Sequence, residues 1–256
     1  MKNFYAVVKK EMRSYFTSPI AYVVIVIFLV LSGFFFYSGI AYFNLVSLQA
    51  MRSPYGAPDL NISEWVLRPL FGNISIFMLL MMPLLTMRLF SEEKKGGTIE
   101  LLFTYPIKDM ETVLGKYASC VGVFVIMLLA TLIYPLLIHK FSTLELGPAI
   151  SGYLGLFLMG SAFIALGLFF SSLTENQIVA AVISFGALLL FWVIGWSSTL
   201  ASSKTGSLLT QLSILEHFDE FSKGVIDTKD VIYYLNFIIL SLFLTMRSLE
   251  SKRWRG

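Results

Sequence analysis

The chain has 256 residues, 57% of them hydrophobic and only 14% charged, far from the roughly 45–50% and 25% of soluble domains, so its natural solvent is a bilayer. The formal net charge of +3 is mild; in such a chain it reflects the placement of loops and gives no support to nucleic-acid binding. The single cysteine, Cys120, excludes an internal disulfide framework and a cysteine-rich metal site and reads as a small apolar core residue.

The first element is a helix over 1–17. At 100° per residue Phe4, Val7, Val8, Met12, Tyr15 and Phe16 fall on one half, and Lys2, Lys9, Lys10 and Arg13 share an arc of the other. Glu11 is the exception, a carboxylate within the apolar half. Such a helix is expected to lie in the membrane interface with its apolar face in the acyl boundary and its basic face toward anionic headgroups. Pro19 then turns the chain into the first span.

A hydrocarbon core of about 30 Å takes roughly 20 apolar residues of helix. Six stretches come close, 20–43, 69–87, 117–138, 147–173, 178–200 and 231–248, which predicts an all-α integral membrane protein with six transmembrane helices in a single domain. The first is long for the apolar region of a signal peptide and no small-residue cleavage site follows it, so it reads as a retained span. The last relies on Arg247 snorkelling outward. Small residues four apart, Ser151 with Gly155, Ser161 with Ala165 and Gly167 with Ser171, are the spacing that lets two helices approach closely in lipid.

Six spans put both termini, the second loop (88–116) and the fourth on one side. That side carries thirteen Lys and Arg residues against six on the other, so the positive-inside rule places both termini in the cytoplasm. The segment 201–230 is then extracytoplasmic. Leu208, Leu212, Leu215, Phe218, Phe221 and Val225 recur there at helical spacing, with Asp219, Glu220, Asp227 and Asp230 on the polar side. An amphipathic hairpin at the outer interface accounts for that pattern.

Several chemistries lack their residues. The chain has no G-x-x-x-x-G-K-[ST] phosphate loop, so ATP binding is not expected of it. Its two histidines, His139 and His217, form no H-E-x-x-H pair. Ser161 has no histidine or lysine within a span to serve as its base. No Asp, Glu, Lys or Arg lies well inside the six stretches, which argues against a proton or ion pathway through them. Energy for any transport is expected to enter through the cytoplasmic loops.

The most unusual loop segment is SEEKKGGTIELLFTYPI, Ser91 to Ile107. Gly96 and Gly97 break a charged helix, Thr98 caps a new one carrying Ile99, Leu101, Leu102 and Phe103, and Pro106 ends it. That helix is too short to span and too apolar for water. It either lies on lipid or docks in a groove of another protein, and the residues alone weigh these equally.

Four stretches in order, KKEMRSYFTSPIAYV, MRLFSEEKKGGTIELLFTYPI, FFSSLTENQIVAA and EHFDEFSKGVIDTKDVIYYL, resemble the ABC-2 type permeases of ATP-binding-cassette transporters. Within that family the chain is most similar to the gliding-motility permease subunit, with the permease of nitrous-oxide-reductase copper maturation nearby. The resemblance implies a multi-pass subunit of the bacterial cytoplasmic (inner) membrane that is not itself an enzyme. It would pair with a second permease, as homodimer or heterodimer, and with two ABC ATPase subunits, which carry the ATP and Mg; no cofactor is implied for this chain. The family's coupling helix maps onto Glu92, Glu93, Gly97, Thr98, Ile99, Glu100, Leu101, Leu102 and Pro106, and its second, smaller ATPase contact onto Thr174, Glu175, Asn176 and Gln177. Lys94-Lys95 departs from the pattern, where many relatives have Arg followed by other residues. The implied function is ATP-coupled export or flipping of an unidentified substrate. The alternative is a non-transporting membrane anchor that passes ATPase-driven motion to an extracytoplasmic auxiliary protein.

Overall fold

The computed structural model describes residues 2–52, 61–98, 108–142, 145–198 and 210–253. Among them there is no strand. The helices are α1 (Lys2–Thr17), α2 (Pro19–Arg52), α3 (Arg68–Thr86), α4 (Arg88–Lys95), α5 (Asp109–Thr131), α6 (Ile133–Phe141), α7 (Leu146–Leu173), α8 (Gln177–Ser198), α9 (Ile214–Ser222) and α10 (Thr228–Arg253), with a π-helical turn, Ser63–Leu67, leading into α3. Six continuous stretches among the described residues are long and apolar enough to cross a bilayer: Pro19–Met51, Ser63–Lys95, Asp109–Phe141, Leu146–Leu173, Gln177–Gly195 and Thr228–Ser251. The chain is an all-α, multi-pass membrane protein.

These helices outrun the apolar stretches in the sequence. α2 continues to Arg52 and α5 begins at Asp109, because a helix keeps its backbone hydrogen bonds after it leaves the hydrocarbon and polar side chains there meet water. The third span is interrupted at Leu132. Pro135 has no N–H to give to the carbonyl of Thr131, and that carbonyl instead accepts the Tyr153 hydroxyl at 2.8 Å.

α7 is the centre of the bundle: 78% of its most apolar window is buried, against 22% for both α8 and α10. Its glycines explain why. A Cβ on Gly152 would sit 2.2 Å from the Phe71 ring, one on Gly155 2.6 Å from Phe221, one on Gly160 2.3 Å from Phe124, and one on Gly167 2.1 Å from the Thr86 hydroxyl. Successive turns of α7 therefore receive α3, α9, α5 and α3 again at distances only glycine permits. The pairings Phe71 to Gly152 and Thr86 to Gly167 show α3 running parallel to α7, and Tyr153 with Thr131 and Phe124 with Gly160 show α5 antiparallel to it. α2 joins through Phe36 stacked on Tyr134, ring centroids 4.6 Å apart, and a Ser32–Tyr134 hydroxyl bond of 2.9 Å.

The two ends of α7 define the two ends of the molecule. Its C-terminal end meets α4 and, through Ser248 Oγ to Ser172 O at 3.3 Å, the last turns of α10. Its N-terminal end meets α9, where Ser151 Oγ donates to Phe221 O at 2.8 Å. The outer apolar faces are left uncovered, with Val30, Phe34, Ile178, Val182, Leu190 and Ile239 all more than half exposed, as lipid-facing or partner-facing surface requires.

α9 is also tied to the start of α3. Asp219 Oδ1 accepts from Arg68 Nη2 at 2.9 Å, and its Oδ2 lies 2.6 Å from Lys223 Nζ. Burial opposes the charge on Asp219, but these two cations hold its carboxyl below the ordinary carboxylate value.

Two expectations follow. Gly160→Val forces a methyl into Phe124 and Met78 and is expected to cost about 1–3 kcal/mol or more, read as a lower thermal midpoint in detergent; Gly186→Ala, where a Cβ meets nothing within 4 Å, is expected to leave the midpoint unchanged or raise it. Because the folded-state value of Asp219 is depressed, its stabilisation is present above the ordinary value of 3.8 and lost as pH falls through the lower folded value. The midpoint difference between the native protein and Asp219→Asn is therefore expected to shrink as pH is taken below 3.8.

Candidate functional site

The end of the molecule that carries both termini is built around α4. At Met87, whose N–H still bonds Pro83 O, the chain passes from α3 into α4, and Ser171 meets this junction from α7. Its Oγ accepts from the backbone N–H of Phe90 at 3.1 Å and of Ser91 at 3.2 Å while donating to Met87 O at 2.9 Å. Ser91 Oγ returns a bond to Ser171 O. One turn on, Lys94 is buried and its Nζ donates to Ser172 O. α4 is thus pinned to α7 along one side; of these residues the sequence reading assigns Ser171 alone to helix packing.

The opposite side of α4 faces α1 and α5. Lys116 of α5 is 1% exposed, with Nζ 2.8 Å from Glu11 Oε1, 3.0 Å from Glu93 Oε2 and 2.7 Å from the carbonyl of Leu89. It also lies 5.1 Å from the centroid of the Phe90 ring. The contacts to Glu11 and Leu89 are hydrogen bonds, and the one to Glu93 is an ion pair. Lys10 adds a second cation, 2.7 Å from Glu93 Oε1 and 3.6 Å from Glu11 Oε1. Burial opposes the charge on Lys10, but its bond to Glu93 and the fields of Glu93 and Glu11 raise its ammonium above the ordinary value.

α1 reaches this cluster by running parallel to the first turns of α5. Asn3 Nδ2 contacts Glu111 Oε2, Val7 lies where a Cβ on Gly115 would be 2.7 Å away, and Met12 faces Gly122. Farther along, Tyr15 OH donates to Leu85 O at 2.9 Å, and Arg88 sits 4.7 Å over the Tyr15 ring with Nη2 3.3 Å from Ser14 Oγ. The apolar face that the sequence assigns to the acyl boundary is therefore divided. Val7 and Tyr15 are covered by protein, and the more exposed aromatic side chains of the helix are Tyr5 and Phe16. Glu11, the exception in the helical pattern, is on the buried stripe because Lys116 meets it there.

At the end of α4 the chain reverses. Gly96 N–H bonds Glu92 O at 3.0 Å, and Gly97 has φ +66°, a left-handed conformation that a side chain would strain. Thr98 Oγ donates to Glu93 O at 3.2 Å and closes the turn. Of the residues matched to the coupling helix, Glu92, Gly97 and Thr98 are exposed here, while Glu93 is taken into the Lys116 cluster. Ile99, Glu100, Leu101, Leu102 and Pro106 lie outside the described residues.

The second predicted contact is next to α4. A cavity of about 520 Å³ is lined by Lys95 with Glu175, Asn176, Gln177 and Ile178. Asn176 has a local duty, since its Oδ1 accepts from the N–H of Ile178 at 2.9 Å and caps α8. Thr174 Oγ accepts from Asn176 N–H at 3.1 Å. Glu175 remains exposed toward this cavity. The structure thus gathers Glu92, Lys95, Gly97, Thr98 and Glu175 at one end of the bundle. It adds Glu11, Lys116, Lys94, Ser171 and Ser172, which the sequence reading missed; the one available signal was a carboxylate on the apolar half of 1–17.

Removing Lys116 takes away the one buried cation between Glu11 and Glu93 and leaves them only the exposed Lys10. Lys116→Ala is expected to cost about 3–5 kcal/mol, read as loss of folded protein or a lower thermal midpoint. In the double variant Glu11→Gln with Glu93→Gln, the same lysine change is expected to cost much less, because no unpaired carboxylate remains.

No curated protein matches the chain. Residues 60–213, more than half of the sequence and running through α3 to α8, match the family model described as ABC-2 family transporter protein, and the chain belongs to that family.

Proposed function

We propose that this chain is the permease subunit of an ABC transporter of the bacterial inner membrane, coupling ATP hydrolysis by separate ATPase subunits to export or flipping of a substrate. In this reading both termini and α4 face the cytoplasm. The subunit pairs with a second permease, as homodimer or heterodimer, and two ATPases dock on the segment after Gly97 and on the turn around Glu175. The observation that carries the reading is the way α4 is held. The helix entering the docking segment is bonded to α7 through Ser171 and Ser172 and to α1 and α5 through Lys116 and Glu93. A push on that segment therefore reaches three other helices through buried polar contacts instead of being absorbed in a flexible loop. The left-handed turn at Gly97 separates the held part from the docking part.

The motion follows from rigidity. When ATP draws two ATPases together, the docked segments move with them, and α4 carries α5 and α7 as bodies because their contacts are short and buried. The spans, whose outer faces are smooth and apolar, slide or tilt against lipid or the second permease. The nearer likeness to the gliding-motility permeases belongs to this proposal as a preference among subgroups.

The docking assignment is tested on the full chain co-expressed with its ATPase. Glu100→Lys combined with Leu101→Ala, and separately Glu175→Lys, are expected to lower ATPase co-purification and permease-dependent ATP hydrolysis by about tenfold or more; undiminished hydrolysis in both removes the assignment. Glu92→Cys is expected to react in intact cells only with a membrane-permeant thiol reagent, and reaction with an impermeant one inverts the orientation.

A further inference from the structure

The side of α1 turned away from the protein carries cations that transmission from the ATPases does not use. At 100° per residue Tyr5, Lys9, Arg13 and Phe16 fall within an arc of about 80°, and all four are exposed. The stripe on the far side of the helix, Val7, Glu11 and Tyr15, is buried. The ion pairs of α1 run through Lys10 and Glu11. Among the described residues, the side chains of Lys9 and Arg13 have no carboxylate and no hydrogen-bond partner.

The nearby carboxylates are committed on the buried side. Glu11 and Glu93 both meet Lys116 there, and Lys10, next to Lys9 in the chain, directs its charge at Glu93 from 2.7 Å. Two cations four residues apart stand side by side on a helix and repel each other. An anion shared between them turns that repulsion into two charge-assisted hydrogen bonds.

The stripe continues into the first span. Phe16 meets Tyr22 edge to face with ring centroids 6.2 Å apart, and Tyr22 OH donates to Phe16 O at 2.9 Å. Tyr22 opens a run of side chains on α2, Val23, Val26 and Val30, each more than half exposed. A helix rises about 1.5 Å per residue, so Arg13 and Lys9 lie no more than about 5 Å and about 10 Å along the axis from Phe16, whatever the tilt of α1. Long basic side chains framed by aromatic rings at that depth are the composition of a membrane–water interface. We infer that Lys9 and Arg13 form a binding site for the phosphate of an anionic phospholipid whose acyl chains run along Tyr22, Val23 and Val26.

One amphiphile matches the whole surface. An acidic protein would complement Lys9 and Arg13 but leave the apolar run beyond Tyr22 to something else, and free phosphate would complement the cations alone. A lipid with a negative headgroup covers both, with its charge at α1 and its chains in the hydrocarbon beside α2. Such a lipid holds α1 from outside, on the face opposite the one that Lys116 holds from inside. The site belongs to the permease alone and goes beyond its coupling to ATPases; in the orientation proposed above it lies in the cytoplasmic leaflet.

The test is native mass spectrometry of the full-length protein in an uncharged detergent, titrated with phosphatidylglycerol or phosphatidylcholine. The native chain is expected to bind phosphatidylglycerol more tightly. Lys9→Gln or Arg13→Gln alone is expected to weaken that binding about fivefold and the two together about thirtyfold, with phosphatidylcholine unaffected. Lys9→Arg with Arg13→Lys keeps both charges and is expected to keep the preference. The thermal midpoint reports folding, and if the double glutamine variant is destabilised, the two single variants decide the matter. Undiminished phosphatidylglycerol binding in the glutamine variants overturns the proposal; if those variants instead lose a co-purifying ATPase, the stripe is a protein contact. Inorganic phosphate in excess is expected to leave the lipid bound, and its displacing the lipid overturns the assignment to a phospholipid. No ATPase takes part in the titration, so its failure leaves the permease reading standing.

Discussion

One ammonium group organises the end of the molecule where the termini lie. Lys116 Nζ brings together a carboxylate from α1, a carboxylate from α4 and the backbone of α4, all within 3.0 Å. In water such a cluster would be worth little. Buried, the lysine is tolerated only while its oxygens are there, and without it the two carboxylates lose their one buried cation. A contact of this kind has few intermediate states, which makes the three helices behave as one body. The parallel register of α1 and α5, the approach of Val7 to Gly115 and the seat of Arg88 over Tyr15 are all consistent with that requirement.

α7 provides the wall against which the body works. Its glycines draw α3, α5 and α9 close enough for van der Waals contact, the main attraction available where lipid is as apolar as the side chains. Its C-terminal serines then change the type of contact from packing to hydrogen bonding where the helix meets α4. One helix thereby links the charged end to the end where α9 lies, over its 28 residues. α2 and α8 stand outside this frame with mostly uncovered faces, whereas α10 packs along α7 and leaves its other side uncovered.

The number and order of the spans were legible because a bilayer imposes one length and one polarity on each. Their ends were not, since nothing in hydropathy stops the helix containing Asn44 to Arg52 once it has left the hydrocarbon. The break at Gly96-Gly97 could be read from the glycines, and the left-handed φ of Gly97 is its physical cause. Thr174 and Asn176 show the opposite case. They fit a contact motif by sequence, and the structure gives them capping bonds at the start of α8, leaving Glu175 as the side chain free of such duty. Lys116 was hidden because charge counting assigns every lysine near a span to a solvated loop, and only the fold reveals that two carboxylates from distant parts of the chain wait for it.

Cys120 is a free thiol with no exposed surface, enclosed in the core one helical turn beyond Lys116. The chain, whose only cysteine this is, therefore has no reactive thiol on any surface it presents, to either compartment or to lipid. Thiol-directed reagents that reach the membrane find nothing to modify while α1 and α5 stay together, and reactivity at this one position becomes an internal report that the two helices have separated.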